Sequence, residues 1–360
     1  MKRSRGRVVH VDSLEELDRQ LAAGATSLRG WRVRGVDLTG RHDALARVRV
    51  SGATFLACRF APGDDERVRA AGGLVLQVPD DAPVEPRDRL YTAGELYDTR
   101  RYADSLDARA YAWSQRPFGA DEALARSLHD HTIDLALEDW TSTRHLVGVM
   151  GGHRLERDHP GYADAARLGA ALGARAVVAT GGGPGAMEAA NLGARLADRA
   201  DDLDEAVALL AGVPSYRPSI DAWVQRAREV LDRFPGRGEN LGIPTWHYGH
   251  EPPNAFATAI AKYFRNSMRE AILLQVCDRG IAFLPGAGGT VQEVFQDACE
   301  NYYADEPTVA PMVLVGATYW TETLPAWPLL QRLARGKPME QHVHLVDSAA
   351  DAVDLLNSRT

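Results

Sequence analysis

Lysine is nearly absent from this chain. Its 360 residues include only Lys2, Lys262 and Lys337. An ATP-binding P-loop needs a lysine directly after its last glycine, because the ammonium group reaches the outer phosphates. Neither of the two glycine-rich segments described below is followed by lysine. The sequence therefore argues against a P-loop nucleoside-triphosphatase.

Cysteine is also scarce, and its distribution is informative. Cys58, Cys277 and Cys299 are odd in number and have no spacing typical of a metal site. Such a set does not predict a disulfide framework. It favours a protein of a reducing compartment. We therefore predict a cytoplasmic protein.

Long apolar runs are missing as well. No stretch approaches the ~20 apolar residues that a membrane-spanning helix needs, and no apolar segment typical of a secretory signal follows the basic first residues. The formal net charge is -8 and the pI is about 5.8. This balance argues against a nucleic-acid or anionic-membrane partner. We expect neither a nucleic acid nor a membrane as a partner.

The chain changes character in a proline- and charge-rich segment at 78–89. We predict a small N-terminal domain over 1–88, a helical lead-in over 89–140 and a larger domain over 141–360. In the first, apolar residues recur at five-residue spacing: Leu28, Val33 and Leu38, then Val50, Phe55 and Phe60. This spacing favours either a degenerate pentapeptide repeat or a small β-rich domain in which the spacing is chance.

The larger domain alternates buried strands with helices. Apolar runs at 145–150, 175–180, 280–285 and 311–317 are separated by helical patterns and glycine-rich turns. Such alternation predicts an α/β fold, a Rossmann-like doubly wound parallel sheet covered on both faces. Right-handed crossovers place every strand-to-helix loop at one edge of the sheet, where ligands bind in open α/β folds.

Two of these loops are rich in glycine, GGGPGAMEAAN (181–191) and PGAGGTVQE (285–293). Each follows a buried strand and opens a helix, whose first N–H groups and partial positive charge favour an anion. Gly181, Gly183 and Ala186 also fit the GxGxxA dinucleotide fingerprint. That fingerprint usually follows the first strand, whereas here it follows the second. Dinucleotide binding is therefore the alternative.

Carboxylates and one arginine lie close to both loops in sequence. Thr290 and Glu293 form a T-x-x-E capping box, and Glu188 falls in the first turn of its helix, so each acid alone reads as a cap. Together, two acids beside two anion loops fit a ligand whose sugar lies between phosphate and base. Carboxylates bind sugar hydroxyls and stabilise an oxocarbenium-like carbon. Arg269 is either a solvated helix residue or a group that clamps phosphate or orients the catalytic acid.

The two glycine segments resemble the paired signatures of the Lonely Guy family of nucleotide phosphoribohydrolases. The family pattern is GGGPGxMEAAN, then MxxRK, then PGGxGTxxE, and the resemblance covers 145–317. The first signature matches nearly completely. In the third, Ala287 replaces a glycine, and in the second, Glu270 stands where a lysine is usual.

The resemblance implies a reaction and a set of site residues. The reaction is hydrolysis of the N-glycosidic bond of a nucleoside 5′-monophosphate, either a cytokinin riboside 5′-monophosphate or AMP, to free base and ribose 5-phosphate. The enzyme would assemble as a dimer or hexamer, and it would need no metal and no organic cofactor. Arg269, Glu293 and Glu188 would be catalytic or contact the ligand. The phosphate- and substrate-binding residues would be Gly182, Gly183, Gly286, Gly288, Gly289, Thr290, Gly152 and His153.

Two alternatives stay open. The first is a non-catalytic nucleotide-sensing protein on the same fold, which the altered second signature favours. The second is a dinucleotide-dependent oxidoreductase.

Overall fold

The computed structural model describes residues 9–76, 81–117, 119–247 and 251–357. The chain divides into two compact units. The first consists of Met1–Pro86 with Arg116–His129, and the second of Arg87–Gln115 with Asp130–Thr360. No helix within the described ranges is long and apolar enough to cross a bilayer.

The first unit alternates short strands and helices. In chain order its elements are β1 (Val9–Val11), α1 (Leu14–Ala22), β2 (Trp31–Arg34), α2 (His42–Arg47), β3 (Thr54–Leu56), α3 (Asp64–Ala70) and β4 (Leu74–Leu76). The four strands form one parallel sheet in the order β1-β2-β3-β4.

The strand register reveals the repeat length of this unit. Val9 pairs with Trp31 and Arg32 with Thr54, so the first two steps along the sheet span 22 residues, whereas the third, from Thr54 to Leu74, spans 20. The five-residue spacing seen in the sequence lies within one such repeat. Its members recur 22 residues later at equivalent places, Leu28 with Val50, Val33 with Phe55 and Leu38 with Phe60, and all six belong to one apolar core.

The first unit is therefore a solenoid of strand-plus-helix repeats, in which equivalent apolar residues recur from one repeat to the next. The pentapeptide interpretation differs from what the structure shows, since α1, α2 and α3 separate the strands. A square coil with five-residue sides has no room for these helices. The helices also show that the unit is a mixed α/β structure, although its sheet was anticipated.

The second unit contains seven strands and most of the helices. Its helices are α4 (Ala93–Leu96), α5 (Leu106–Ser114), α6 (Ala120–Thr141, which includes residues of both units), α7 (Pro160–Gly173), α8 (Ala186–Arg195), α9 (Leu203–Ala211), α10 (Ile220–Arg233), α11 (Asn266–Gln275), α12 (Gly288–Tyr303), α13 (Trp327–Ala334) and α14 (Ala349–Asn357). Its strands are β5 (Leu146–Met150), β6 (Val177–Thr180), β7 (Asn240–Gly242), β8 (Ala259–Ile260), β9 (Ile281–Phe283), β10 (Met312–Val315) and β11 (Val343–Val346).

These strands form one parallel sheet in the order β11-β10-β9-β5-β6-β7-β8. The prediction of a Rossmann-like doubly wound sheet is confirmed. The chain starts at β5 in the middle, adds β6 to β8 on one side, and then crosses over to add β9 to β11 on the other. The direction of winding changes between β5 and β9, and ligands bind at such a switch point in open α/β sheets.

Two glycines bring α7 and α8 unusually close. A Cβ on Gly193 would lie 1.8 Å from the carbonyl oxygen of Ala166, and one on Gly169 would lie 2.2 Å from that of Ala190. Any larger residue would force the helices apart. The tight contact fixes the position of α8, and with it the glycine loop that precedes this helix.

Candidate functional site

Three loops meet at the carboxyl edge of the large sheet. The backbone N–H of Gly152, after β5, donates to the carbonyl oxygen of Pro285, after β9, across 3.1 Å. The N–H of Ala186, after β6, donates to the carbonyl oxygen of Gly152 across 3.2 Å. The expectation that the two glycine-rich loops share one edge of the sheet agrees with this arrangement, in which Gly152 contacts both.

The first glycine loop, 181–185, is fixed by packing. Gly182 has a φ of +70°, and a Cβ there would lie 2.7 Å from Cδ of Pro244, so only glycine fits. Its N–H donates to the hydroxyl of Thr180 across 3.0 Å, and its carbonyl oxygen accepts from the N–H of Asn254. Both backbone groups of Gly182 are thus engaged within the protein. Close to the same loop, a Cβ on Gly183 would lie 3.7 Å from a carboxylate oxygen of Glu251.

A buried amide network that the sequence analysis did not anticipate holds this loop. Oδ1 of Asn191 accepts from the hydroxyl of Thr180 across 2.7 Å and from Nδ2 of Asn254 across 2.9 Å. Nδ2 of Asn191 donates to Oδ1 of Asn240, and Nδ2 of Asn254 donates to the carbonyl oxygen of Gly183. The available signal was the placement of Asn191 and Asn240 among apolar residues, because buried amides need partners.

The second glycine loop is built differently. A Cβ on Gly286 would lie 2.1 Å from the hydroxyl oxygen of Thr290, which explains the glycine. α12 begins at Gly288 with Ala287 as its N-cap, and no side chain in the described part of the chain caps it. The expected capping box of Thr290 and Glu293 is therefore not formed, since Thr290 already lies inside the helix.

The first turn of α12 is open to its surroundings. A Cβ built on Gly288 or Gly289 would meet no described heavy atom within 4 Å. The first N–H groups of a helix have no acceptor within the helix itself, and they carry its partial positive charge. This turn can therefore receive an anion, as predicted for Gly286, Gly288, Gly289 and Thr290. Their binding role stays a prediction.

Glu188 does not face open space. Its side chain is 1% exposed, and both carboxylate oxygens accept from Arg157, at 2.5 Å from Nη2 and 3.0 Å from Nε. The structure thus places Glu188 in a buried ion pair, whereas the resemblance implied a role on the ligand. Its position in the first turn of α8 agrees with the sequence.

Arg269 and Glu293 do come together. Nη1 of Arg269 lies 3.3 Å from Oε1 of Glu293, and a Cβ on Gly181 would lie 3.5 Å from the same nitrogen. The guanidinium thus lies between the first glycine loop and α12. Burial, together with the nearby Glu270, raises the pKa of Glu293 to about 7, although Arg269 opposes the shift.

Glu270, which stands where the family pattern has lysine, is part of the same cluster. Oε1 of Glu270 accepts from Nδ2 of Asn266 across 2.5 Å, and its other oxygen accepts from Nε2 of Gln292. Asn266 in turn accepts from Nη2 of Arg269. The cluster therefore holds one arginine and two carboxylates, and its two acids compete for a single cation.

A cavity of about 650 Å³ lies at the switch point between β5 and β9. It is lined by the chain after β5, by the chain after β9 and by one side chain from beyond β10. The lining residues are Gly152, His153, Arg154, Leu155, Glu156, Asp158, His159, Pro160, Pro285, Gly286, Ala287 and Tyr319. Of the predicted binding residues, this lining includes Gly152, His153 and Gly286. The hydroxyl of Tyr319 donates to the carbonyl oxygen of Gly286 and so holds the second loop.

The cavity carries charges of both signs. Nε2 of His153 lies 3.6 Å from Oε1 of Glu251, and Nδ1 of His159 accepts from the N–H of Gly161 as the N-cap of α7. Arg154 supplies a permanent positive charge. Glu156 and Asp158 add two exposed carboxylates. A ligand that satisfies this lining carries an anionic group and hydrogen-bond donors.

No group of three or more histidine, cysteine, aspartate or glutamate side chains that could hold a metal ion is present in the described ranges. The second unit is an open α/β domain with a cavity at the carboxyl edge of its sheet.

Comparison with known proteins adds three similar solved structures. One is the molybdenum cofactor binding protein from the phototrophic bacterium Rippkaea orientalis, with 20% sequence identity and a TM-score of 0.38 over 60% of this chain and 97% of that one. The others are two structures of the molybdenum cofactor carrier protein from Chlamydomonas reinhardtii, both 18% identical over 60% of this chain. They cover 97% and 99% of those chains, with TM-scores of 0.37 and 0.36. No family model and no curated protein matches this chain.

The resemblance to the Lonely Guy family is therefore corrected. No family model supports it, and the similar solved structures are named for the molybdenum cofactor. The predicted hydrolysis of a cytokinin riboside 5′-monophosphate or AMP is wrong, and so is the predicted nucleotide partner. The alternatives of nucleotide sensing and dinucleotide chemistry gain no support either. Short glycine signatures recur because many anionic ligands need the same loop geometry.

Proposed function

We propose that this chain binds a small organic molecule with an anionic group in the cavity between the ends of β5 and β9. The observation that carries the proposal is the uncapped N-terminus of α12 at the wall of a 650 Å³ cavity. Small-molecule sites typically measure about 300–1,000 Å³ and lie at switch points of α/β sheets. The volume of the cavity, its position in the sheet and the positive charge of the helix N-terminus thus agree with a site for an anionic small molecule.

The anionic group belongs at α12 and not at α7. α7 begins with Pro160, which has no N–H, and His159 already caps the N–H of Gly161. The first turn of α12 keeps its N–H groups free of side-chain caps among the described residues. Arg154 lines the same cavity and supplies a positive charge that complements an anion.

Glu156 and Asp158, which also line the cavity, place a second requirement on the ligand. These exposed carboxylates accept hydrogen bonds and repel negative charge. The ligand therefore needs N–H or O–H donors on the part that faces them. A plain oxyanion offers no donors to these carboxylates, so an organic molecule with both features fits better.

The test is calorimetric titration of the purified chain with inorganic phosphate and with the molybdenum cofactor. Phosphate probes the anion subsite, and the cofactor is one organic ligand worth testing because the similar structures are named for it. We expect phosphate to bind weakly and an organic ligand with donors to bind more tightly.

Variant controls sharpen this titration. Arg154→Ala should weaken binding of any anion by about tenfold, the effect of losing one charge-assisted contact. Arg100→Ala removes an exposed arginine that does not line the cavity, and it should bind like the wild type. Equal binding by both variants would contradict the proposal, as would a wild-type chain that binds neither ligand.

Acid–base chemistry at Glu293 is a second candidate. A carboxyl group with a pKa of about 7 can both donate and accept a proton near neutral pH, and Arg269 lies 3.3 Å from it. Neither of these side chains lines the cavity described above. In this case the chain would be an enzyme whose substrate reaches the Arg269–Glu293 pair beside Gly181. Glu293→Gln would then abolish turnover of that substrate and leave its binding intact.

We also propose a cytoplasmic location, supported by cysteine usage. Cys58, Cys277 and Cys299 are all free thiols, and Cys299 is exposed. An exposed free thiol persists more readily in a reducing compartment. Labelling of intact cells with a membrane-impermeant thiol reagent should leave Cys299 unmodified.

A further inference from the structure

One residue departs from the run that lines the cavity. From Gly152 to Pro160, every residue contributes to the cavity lining except Arg157. Arg157 turns the other way, and its side chain is 1% exposed. We call the segment 152–160 the cavity loop. It joins β5 to α7 and supplies the histidines and Arg154 that face the cavity.

The guanidinium of Arg157 connects the cavity loop to three other parts of the second unit. Nε and Nη2 donate to the two carboxylate oxygens of Glu188 in α8. Nη1 donates to the carbonyl oxygens of Trp223 at 3.2 Å and Val213 at 3.3 Å. The guanidinium carbon also lies 4.6 Å from the centre of the Trp223 ring.

The backbone adds another bond, because the N–H of Arg157 donates to the carbonyl oxygen of Pro214 across 3.0 Å. Arg157 is thus held at its main chain and along its whole side chain. A buried ion pair of this kind is a poor source of net stability, since well-packed apolar residues serve equally well. A bidentate arginine–carboxylate pair does, however, fix one geometry.

We propose that Glu188 and Arg157 position the cavity loop, so that Glu188 acts through Arg157 and does not contact the ligand. The pair holds the middle of the loop in the core, and the residues on either side of Arg157 are thereby turned toward the cavity. This inference rests on the proposed binding function, and it extends that function to residues outside the cavity wall.

The experiment replaces the pair by apolar residues of similar size, Arg157→Met with Glu188→Leu. Hydrogen–deuterium exchange measures the order of the cavity loop without any ligand. Titration with inorganic phosphate measures the anion subsite. We expect amides of 152–160 to exchange about tenfold faster while those of β5 and α8 stay protected, and phosphate to bind about tenfold more weakly.

A matched control is Arg144→Lys. Arg144 forms a bidentate pair with Glu239, both distances being 3.2 Å, but it does not line the cavity. This variant should leave exchange in 152–160 and phosphate binding unchanged. If the double variant does not fold, Arg157→Lys serves in its place, because it keeps the charge and loses the bidentate geometry. It should show the same loosening of the loop.

A folded double variant with wild-type exchange in 152–160 would overturn the inference. So would an Arg157→Lys chain with wild-type exchange there. If the wild type binds neither phosphate nor the molybdenum cofactor, the proposed function fails, yet the exchange measurement still decides whether the pair orders the loop. Faster exchange across the whole second unit would also overturn it, since the pair would then be merely structural.

Discussion

Nη1 of Arg269 lies 3.3 Å from Oε1 of Glu293, and this contact joins α11 to α12 at the carboxyl edge of the large sheet. The same arginine is shared with Glu270, whose Oε1 lies 3.6 Å from Nη2. One cation thus serves two buried carboxylates. Burial and the charge of Glu270 outweigh the arginine, and they leave Glu293 with a pKa of about 7.

The raised pKa of Glu293 predicts how stability depends on pH. The folded chain holds the proton on Glu293 more tightly than the unfolded chain does, where the pKa is 4.5. The stabilisation is complete below pH 4.5 and is lost as pH rises through about 7. Glu293→Gln cannot ionise. Relative to this variant, the wild type should lose roughly 3 kcal/mol of unfolding free energy between pH 4.5 and 7.5.

Urea unfolding of both chains at several pH values checks this prediction. The informative quantity is the difference between wild type and variant, because other titrating groups affect both chains equally. A difference that stays constant from pH 4.5 to 7.5 would show that Glu293 keeps an ordinary pKa. Glu322→Gln is a suitable comparison, since Glu322 is an exposed carboxylate in the same unit.

The second glycine loop offers a matched pair of substitutions. Gly286→Ala should destabilise the chain by about 1–3 kcal/mol, because its Cβ would overlap the Thr290 side chain. Gly288→Ala meets open space inside a helix, where alanine is favoured over glycine by about 1 kcal/mol, so its stability should not fall. Thermal unfolding of the two variants compares them directly, and equal melting temperatures would contradict the packing account.

The fold of the second unit follows from its sequence for simple reasons. Strands buried on both faces read as continuous apolar runs, as in 145–150, and glycines mark the turns after them. The repeat of the first unit was harder to predict from the sequence. Leu28, Val33 and Leu38 give the spacing inside one repeat, but only the strand register shows that Val33 recurs as Phe55 22 residues later. Two runs of three apolar residues each are too few to distinguish a short period from a long one.

The sequence predicted only those site residues that belong to the glycine-rich motifs or to the motif between them. The meeting of Arg269 with Glu293 was expected from the motifs, and α12 does open toward solvent at Gly288. The partner of Glu188 was not found, because Arg157 stands 31 positions away in an ordinary polar loop. An ion pair of that kind leaves no periodic trace in a sequence. The resemblance failed for a related reason, since loop geometry specifies an anion and not the rest of its molecule.

The 22-residue repeat predicts different costs for neighbouring residues of β3. Phe55 is fully buried in the core of the first unit, whereas the adjacent Thr54 points to the other face and is half-buried. Phe55→Ala should cost about 3–5 kcal/mol, and Thr54→Ala about 0.5 kcal/mol or less. Hydrogen exchange of β2 and β3 amides measures the local effect. Equal protection in the two variants would argue against the burial of Phe55 in this core.

Asp107 in α5 is a buried charge outside the candidate site. Its carboxylate is fully buried and accepts from Lys262 at 2.6 Å, Trp246 at 2.8 Å and Tyr102 at 2.7 Å. Asp107→Asn leaves the buried Lys262 without its counter-charge and should cost about 3–5 kcal/mol at pH 7. Burial already lowers the pKa of Lys262 from 10.5, and loss of Asp107 lowers it further. The folded variant therefore prefers neutral lysine, and its loss of stability relative to the wild type should shrink as pH rises toward 10.5.

Urea unfolding at pH 7 and 9.5 tests both the size of this loss and its dependence on pH. Asp204→Asn, which breaks an exposed pair with Arg167, should cost less than about 1 kcal/mol at either pH. A deficit for Asp107→Asn as small as that of Asp204→Asn would mean that Lys262 reaches water when its partner is removed.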